Sequence, residues 1–164
     1  MRRWLIRLFW IGMFAGLGFW FWHVLFPKPE QVIRKELLEL ARTTSVPQNE
    51  AQWAQIAKAH KLISFFTPDI EIKVDLPGQY QRIFSGLDDV REAALVSRRL
   101  GKTFRVDFFD INVEVEEGGK SAAARLTAQA TIQGELNPQE LKFTFSKVGR
   151  DWLIRRVETV KTLR

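Results

Sequence analysis

Few side chains in this chain of 164 residues have the type and spacing to do chemistry. His60 is the sole histidine beyond residue 26. Its place in the pattern Trp53, Ile56, Ala57, His60, Ile63 puts it on the apolar stripe of a helix. There an imidazole could act as a general base or donate to a ligand, and a packed histidine bonded to one backbone carbonyl is the competing reading. A pocket built on His60 would draw its apolar walls from Trp53, Ile56 and Phe104. Asp107 and Asp110 form the other suggestive pair, two carboxylates of the kind used in acid–base catalysis. The strand pattern turns both away from the apolar face, so they read as solvated edge residues. Tyr80, the only tyrosine, falls in a loop. With no cysteine there is no disulfide framework, thiolate nucleophile or thiolate metal site. One histidine without an acidic cluster makes no zinc site, and the nucleophile-elbow, phosphate-loop and dinucleotide fingerprints are absent. The expectation is no catalytic residue, no metal and no cofactor.

The elements that would position these residues begin with an apolar segment. Leu8 to Phe26 carries no formal charge, and as a helix its 19 residues would extend about 28 Å, the thickness of a bilayer core. Trp4, Trp10, Trp20 and Trp22 lie towards its ends, where indole rings favour the interface. A cleaved signal would need small residues before the cut. Phe-Trp-Phe-Trp-His-Val-Leu-Phe-Pro supplies bulky ones, which favours an uncleaved anchor. Arg2, Arg3 and Arg7 precede the segment, so the positive-inside rule holds residues 1–7 in the cytoplasm and exports 27–164. In a bacterium this is an inner-membrane protein with a periplasmic domain. Gly12 and Gly16 have the spacing of a helix-packing motif, though glycine is common in membrane helices. His23 reads as an interfacial residue.

From Pro29, apolar residues Ile33, Leu37, Leu40 and Ala41 recur at helical spacing, predicting a helix over about 29–43. Asn49 and Gln52 resemble a capping box opening a second helix to about Phe66, which Pro68 would end. Ile70, Ile72 and Val74 alternate with charged residues as a half-buried strand. Ser85 with Asp88 starts a third helix that stops at Gly101. Four strands follow, at about 103–116, 121–133, 139–148 and 151–161, joined by glycine-bearing turns that imply an antiparallel meander. Along the first, Phe104, Val106 and Phe108 share a face, then the apolar register passes to Phe109, Ile111, Val113 and Val115. A β-bulge at Phe108–Phe109 would absorb the slip and bend the sheet. The alanines from Ala122 to Ala130 would let a helix approach closely.

In that element order, and in FSGLDDVREAALVSRRLG (84–101) and LKFTFSKVGRDWLIRRVETV (141–160), the chain resembles the nuclear transport factor 2-like superfamily, also described as cystatin-like or SnoaL-like. The resemblance implies an α+β cone over residues 27–164, three helices on a curved antiparallel sheet, with Trp152 and Ile154 packing inward. It also implies a possible pocket, and no particular activity. Relatives that join one N-terminal span to this fold include the inner-membrane assembly subunit of type IV secretion systems and mycobacterial membrane proteins associated with lipid import. No motif ties this sequence to either.

Two functions remain open. The first is a single-pass, non-enzymatic interaction or scaffold module of an extracytoplasmic assembly, with a protein partner or a second copy of itself. The alternative is a binder of a small apolar molecule, or an enzyme, using a cone pocket with His60. A filled cone favours the former and an open one the latter. Residues 141–164 carry a net charge of +5. Their aromatics are needed for the core, so nucleic acid is not expected; a solvated face or anionic headgroups suit them better.

Overall fold

The computed structural model describes residues 28–47, 51–74, 82–99, 103–132 and 134–160. The basic flank, the apolar segment 8–26 with its glycine pair and His23, the capping residue Asn49 and Tyr80 lie outside the described residues. Among the described residues, no helix is long and apolar enough to cross a membrane.

Among the described residues, three helices and six strands follow one another as α1 (Pro29–Thr44), α2 (Gln52–Ile63), β1 (Phe66–Val74), β2 (Arg82–Ser85), α3 (Leu87–Arg99), β3 (Phe104–Val115), β4 (Ser121–Ile132), β5 (Glu135–Val148) and β6 (Asp151–Thr159). The strands form one sheet in the order β2-β1-β6-β5-β4-β3. Neighbours are antiparallel except β1 and β6, which run parallel. The predicted meander is therefore present as β3 to β6. The short edge strand β2 lies just before the third helix, where only a loop and a capping residue were expected.

Helix α1 starts on Pro29, whose missing N–H costs nothing in the first turn, and buries Ile33, Leu37, Leu40 and Ala41. At its end Ser45 turns extended and donates from its backbone N–H and its hydroxyl to the Ala41 carbonyl. The Ser45 Oγ accepts the Val106 N–H at 2.9 Å, and Val46 bridges Phe104 in antiparallel fashion. The last turn of α1 is thus fastened to the start of β3. Helix α2 ends at Ile63, short of the expected Phe66, and Pro68 sits inside β1 instead of terminating a helix. It falls in the stretch where the β1–β6 register is irregular, so its missing N–H interrupts no regular ladder. Helix α3 is preceded by Gly86 at φ +84°, and the Ser85 N–H donates to the Asp89 carboxylate at 2.9 Å. Asp88, the expected capping partner, pairs with Arg91.

The bulge in β3 exists, displaced towards the C-terminus from Phe108–Phe109. Pairing with β4 runs regularly through Phe109↔Thr127 and resumes at Asn112↔Arg125, so Asp110 and Ile111 together face Leu126 alone. Asp110 has φ +51°, a conformation that aspartate tolerates better than most residues. Strand β5 begins at Glu135, earlier than expected, through the tight turn at Gly134. Pro138 is accommodated because this end of β5 pairs with β4 and extends beyond β6, whose pairing starts at Leu141.

The core is built from α1, the inner faces of β1 and of β3 to β6, and one side each of α2 and α3. Phe145, Ile33, Leu37 and Ile70 are its largest fully buried side chains, and Trp152 and Ile154 pack inward as expected.

Candidate functional site

Cross-strand rows on the inner face determine where the cone is solid and where it is hollow. One row, Val115–Ala122–Phe145–Ile154, is filled, with Trp152 beside it. Phe143 stacks on Phe145 at 6.4 Å between ring centroids and meets Phe108 edge-on at 5.7 Å, marking the floor. Above it the rows are Phe108–Ala128–Gln139 and Val106–Ala130–Asn137. Ala128 and Ala130 offer only a methyl, and no helix descends onto them: they line a cavity of about 420 Å³. Ala122 and Ala124, on the same face of β4, are fully packed. The expectation that the whole alanine row seats a helix therefore holds for neither Ala128 nor Ala130; they supply empty space.

The cavity lies between α3 and the sheet, with Leu40 and Leu62 contributed by α1 and α2. Its wall is almost wholly apolar, including Phe66, Phe84, Phe104, Phe108 and Phe143. Among the described residues, the polar side chains in the wall are Thr44, Ser97, Arg98, Asn137 and Gln139, with no carboxylate and no imidazole among them. Ser97 Oγ donates to the Ala94 carbonyl at 2.9 Å, and Gln139 Nε2 donates to Thr159 Oγ1 at 3.1 Å. Arg98 is 3 % exposed, and its Nη2 donates to the Thr43 carbonyl at 2.6 Å. That carbonyl belongs to the last turn of α1, where a helix leaves carbonyls without intrahelical partners and a cation is electrostatically welcome.

Of the four residues expected to form a pocket, only Phe104 reaches this cavity. Trp53 is 76 % exposed, Ile56 is 49 % exposed, and His60 is exposed as well. The face of α2 that packs is Ala59, Leu62 and Ile63. The assignment of a buried stripe through Trp53, Ile56 and His60 is corrected accordingly. Large apolar residues suggested one face of α2, yet burial follows which side meets α1 and α3. Arg98 was missed. Its signal was its spacing, eight residues after Val90 and four after Ala94, which continues the buried stripe of α3. A basic residue in a last helical turn is easily taken for a simple complement to the helix dipole.

Asp107 and Asp110 do not form an acid–base pair. Asp107 is bound by Arg105 at 2.8 Å beside a wider surface groove between α1 and β3, and Asp110 is exposed at the bulge. Glu36, half-buried on α1, has its carboxyl pushed up to about 7 by burial and then by the nearby charge of Asp151, away from the cavity wall. Among the described residues no cluster of potential metal ligands occurs. Three basic residues of β5 and β6 are paired with acids, Lys142 with Glu158, Arg155 with Asp69, and Arg156 with Glu71, while Lys147 lies over the Trp152 ring. Hydrogen bonding to the Thr67 hydroxyl and pairing with Arg155 hold the Asp69 carboxyl below its usual range, and Lys73 and Arg156 do the same for Glu71.

A curved sheet closed at one end, open at the other and roofed by three helices defines the nuclear transport factor 2-like, cystatin-like fold. Similar solved structures agree. Aln2 from a Streptomyces species superposes with a TM-score of 0.60 at 16% identity, over 81% of this chain and 91% of that one. A putative scytalone dehydratase from Novosphingobium aromaticivorans gives 0.57 at 14% identity, over 81% and 83%. A nuclear transport factor 2-like protein with a cystatin-like fold from the same organism gives 0.55 at 20% identity, over 77% and 79%. No family model matches the chain, and no curated protein matches it in sequence. At such identities the likeness establishes the fold alone.

Proposed function

We propose that this protein binds a small, largely apolar molecule in the cone, which is held at a membrane by the segment 8–26. One observation carries the binding reading: the cone is hollow where Ala128 and Ala130 face Val90 and Ala94, and the 420 Å³ space lies within the range of small-molecule sites. Phe104 is the one residue of the expected pocket that belongs to it. Among the described residues the wall offers no carboxylate or imidazole, which favours holding a ligand over acid–base chemistry. An open cone also ranks binding above the scaffold role, which would be served by a filled one.

The membrane anchor and the periplasmic placement of the domain rest on the sequence of residues 1–26. They are tested by alkaline carbonate extraction and by a reporter fused after Arg164. A protein extracted with the soluble fraction, or a reporter active only in the cytoplasm, defeats the respective reading. Binding is tested by native mass spectrometry of the full chain released from detergent micelles. Co-purified mass lost on denaturation is expected from wild type and not from Ala130→Phe, which fills the cavity. Equal added mass on both proteins rules out the cone as the site.

A further inference from the structure

The helical roof of the cone carries an exposed apolar stripe. On α2, Trp53, Ile56, Ala57 and His60 recur at helical spacing and are exposed, while Ala59, Leu62 and Ile63 face the core. The stripe therefore points away from the sheet. Trp53 and His60 each join an apolar ring to a polar N–H, the kind of side chain that settles between water and hydrocarbon. α2 contains no acidic residue, so covering this side would strand no carboxylate of its own. The same helical layer is where the apolar segment 8–26 joins the domain. Phe26 ends that segment and Pro29 opens α1, three residues on, a stretch that reaches about 10 Å at most. α1 and α2 lie side by side: Lys61 pairs with Glu39, and Leu40 and Leu62 share one core cluster. A bilayer that takes up residues 8–26 thus lies within reach of the roof. A second copy of the chain is a poorer occupant, because an ordinary protein interface uses about 20–30 residues a side and this stripe offers Trp53, Ile56, Ala57 and His60.

We propose that the roof of the cone lies on the membrane surface, with Trp53 and Ile56 at the level of the lipid headgroups and the outer face of the sheet turned to water. This rests on the anchoring by residues 8–26 proposed above and adds which face of the domain meets the bilayer. An interfacial helix sinks its apolar side about 5–10 Å into the headgroup region, so a position on the stripe and one across the sheet differ in depth by the thickness of the domain. Arg125 is such a far position: it is exposed on β4 between Ala124 and Leu126, whose side chains are buried on the inner face.

Because the chain has no cysteine, a single one can be placed for labelling. The full chain is prepared as Ala57→Cys and as Arg125→Cys, both exposed positions. Each is labelled with a small thiol-reactive fluorophore, checked for a native circular dichroism spectrum and inserted in phosphatidylcholine nanodiscs. Lipid bearing a nitroxide near the top of its acyl chain should quench the label at 57 and spare the label at 125. Adding Trp53→Glu to the Ala57→Cys chain should abolish that quenching; Trp53 is largely exposed, so little packing is lost. Equal quenching at the two positions, or none at either, in a chain that co-elutes with the nanodiscs overturns the roof-down arrangement and leaves the anchor standing. Quenching at 57 that survives Trp53→Glu also overturns it. A label at 57 quenched by a nitroxide-labelled second copy but not by the lipid overturns it in favour of a dimer face. A chain that does not co-elute with nanodiscs overturns the anchor and this proposal together.

Discussion

Two alanines on the same face of β4 provide the sharpest check on a hollow cone. Ala124 is 0 % exposed within the core, whereas Ala128, four residues on, lines the cavity. Leucine at either position adds three carbons. At about 0.8 kcal/mol for each buried carbon, full burial at residue 128 would contribute about 2.4 kcal/mol. Fixing the longer side chain costs about 0.5–1 kcal/mol. Ala128→Leu is therefore expected to raise stability by about 1–2 kcal/mol. At Ala124 there is no space, and overpacking should cost about 1–3 kcal/mol. The two variants should thus differ by about 2 kcal/mol or more, with opposite signs. Equilibrium urea denaturation of the full chain in mild detergent, followed by far-ultraviolet circular dichroism, measures this provided the slopes of the transitions agree. If Ala128→Leu loses as much as Ala124→Leu, the cone is filled at that row, and the binding reading loses its support.

Other expectations follow from single residues. Asp110→Val should cost about 1–2 kcal/mol because a β-branched residue is strained at φ +51°, whereas Asp110→Gly should be close to neutral; equal effects in urea would contradict a left-handed bulge residue. Glu36 binds its proton more tightly when folded, with its carboxyl pushed up to about 7 from 4.5, so its contribution is complete below pH 4.5 and lost as pH rises through 7. That shift corresponds to at most about 3 kcal/mol, reduced to about 1 by partial exposure, so Glu36→Gln should be more stable than wild type at pH 8 and equal to it at pH 4; a pH-independent difference would remove the assignment. His60→Gln should change urea stability by less than about 0.5 kcal/mol and leave the co-purified mass seen by native mass spectrometry unaltered, since the side chain is exposed; loss of that mass would return His60 to the site. Lys142→Met should cost less than about 0.5 kcal/mol in the same denaturation experiment, as expected of a half-exposed pair with Glu158.

Much of this architecture was legible in the sequence because it follows from local pattern. Pro29 and the Ile33–Leu37–Leu40–Ala41 stripe mark α1 within a residue of its observed end, and the glycine turns delimit a meander whose inner residues Phe143, Phe145, Trp152 and Ile154 are buried as predicted. Even the bulge in β3 announced itself through a slipped apolar register. Its position did not, because adjacent Phe108 and Phe109 read alike until β4 is paired with them; pairing turns Phe108 inward, leaves Phe109 exposed and places the extra residue at Asp110 and Ile111.

What the sequence determined by itself is the periodicity of each element and the charge and hydropathy of each segment, including the apolar run at 8–26. Tertiary structure decided which side of an element meets another. It exposed Trp53, Ile56 and His60, buried Arg98, and made two of four similar alanines core and two a cavity wall. It also set Lys142, Arg155 and Arg156 opposite acids of β1 and β6, so that part of a stretch rich in positive charge is paired on the folded surface. The physical reason is common to all of these. Period and composition are properties of neighbours along the chain, whereas burial, empty volume and charge pairing depend on residues far apart in sequence, and those distances exist only once the sheet has curved.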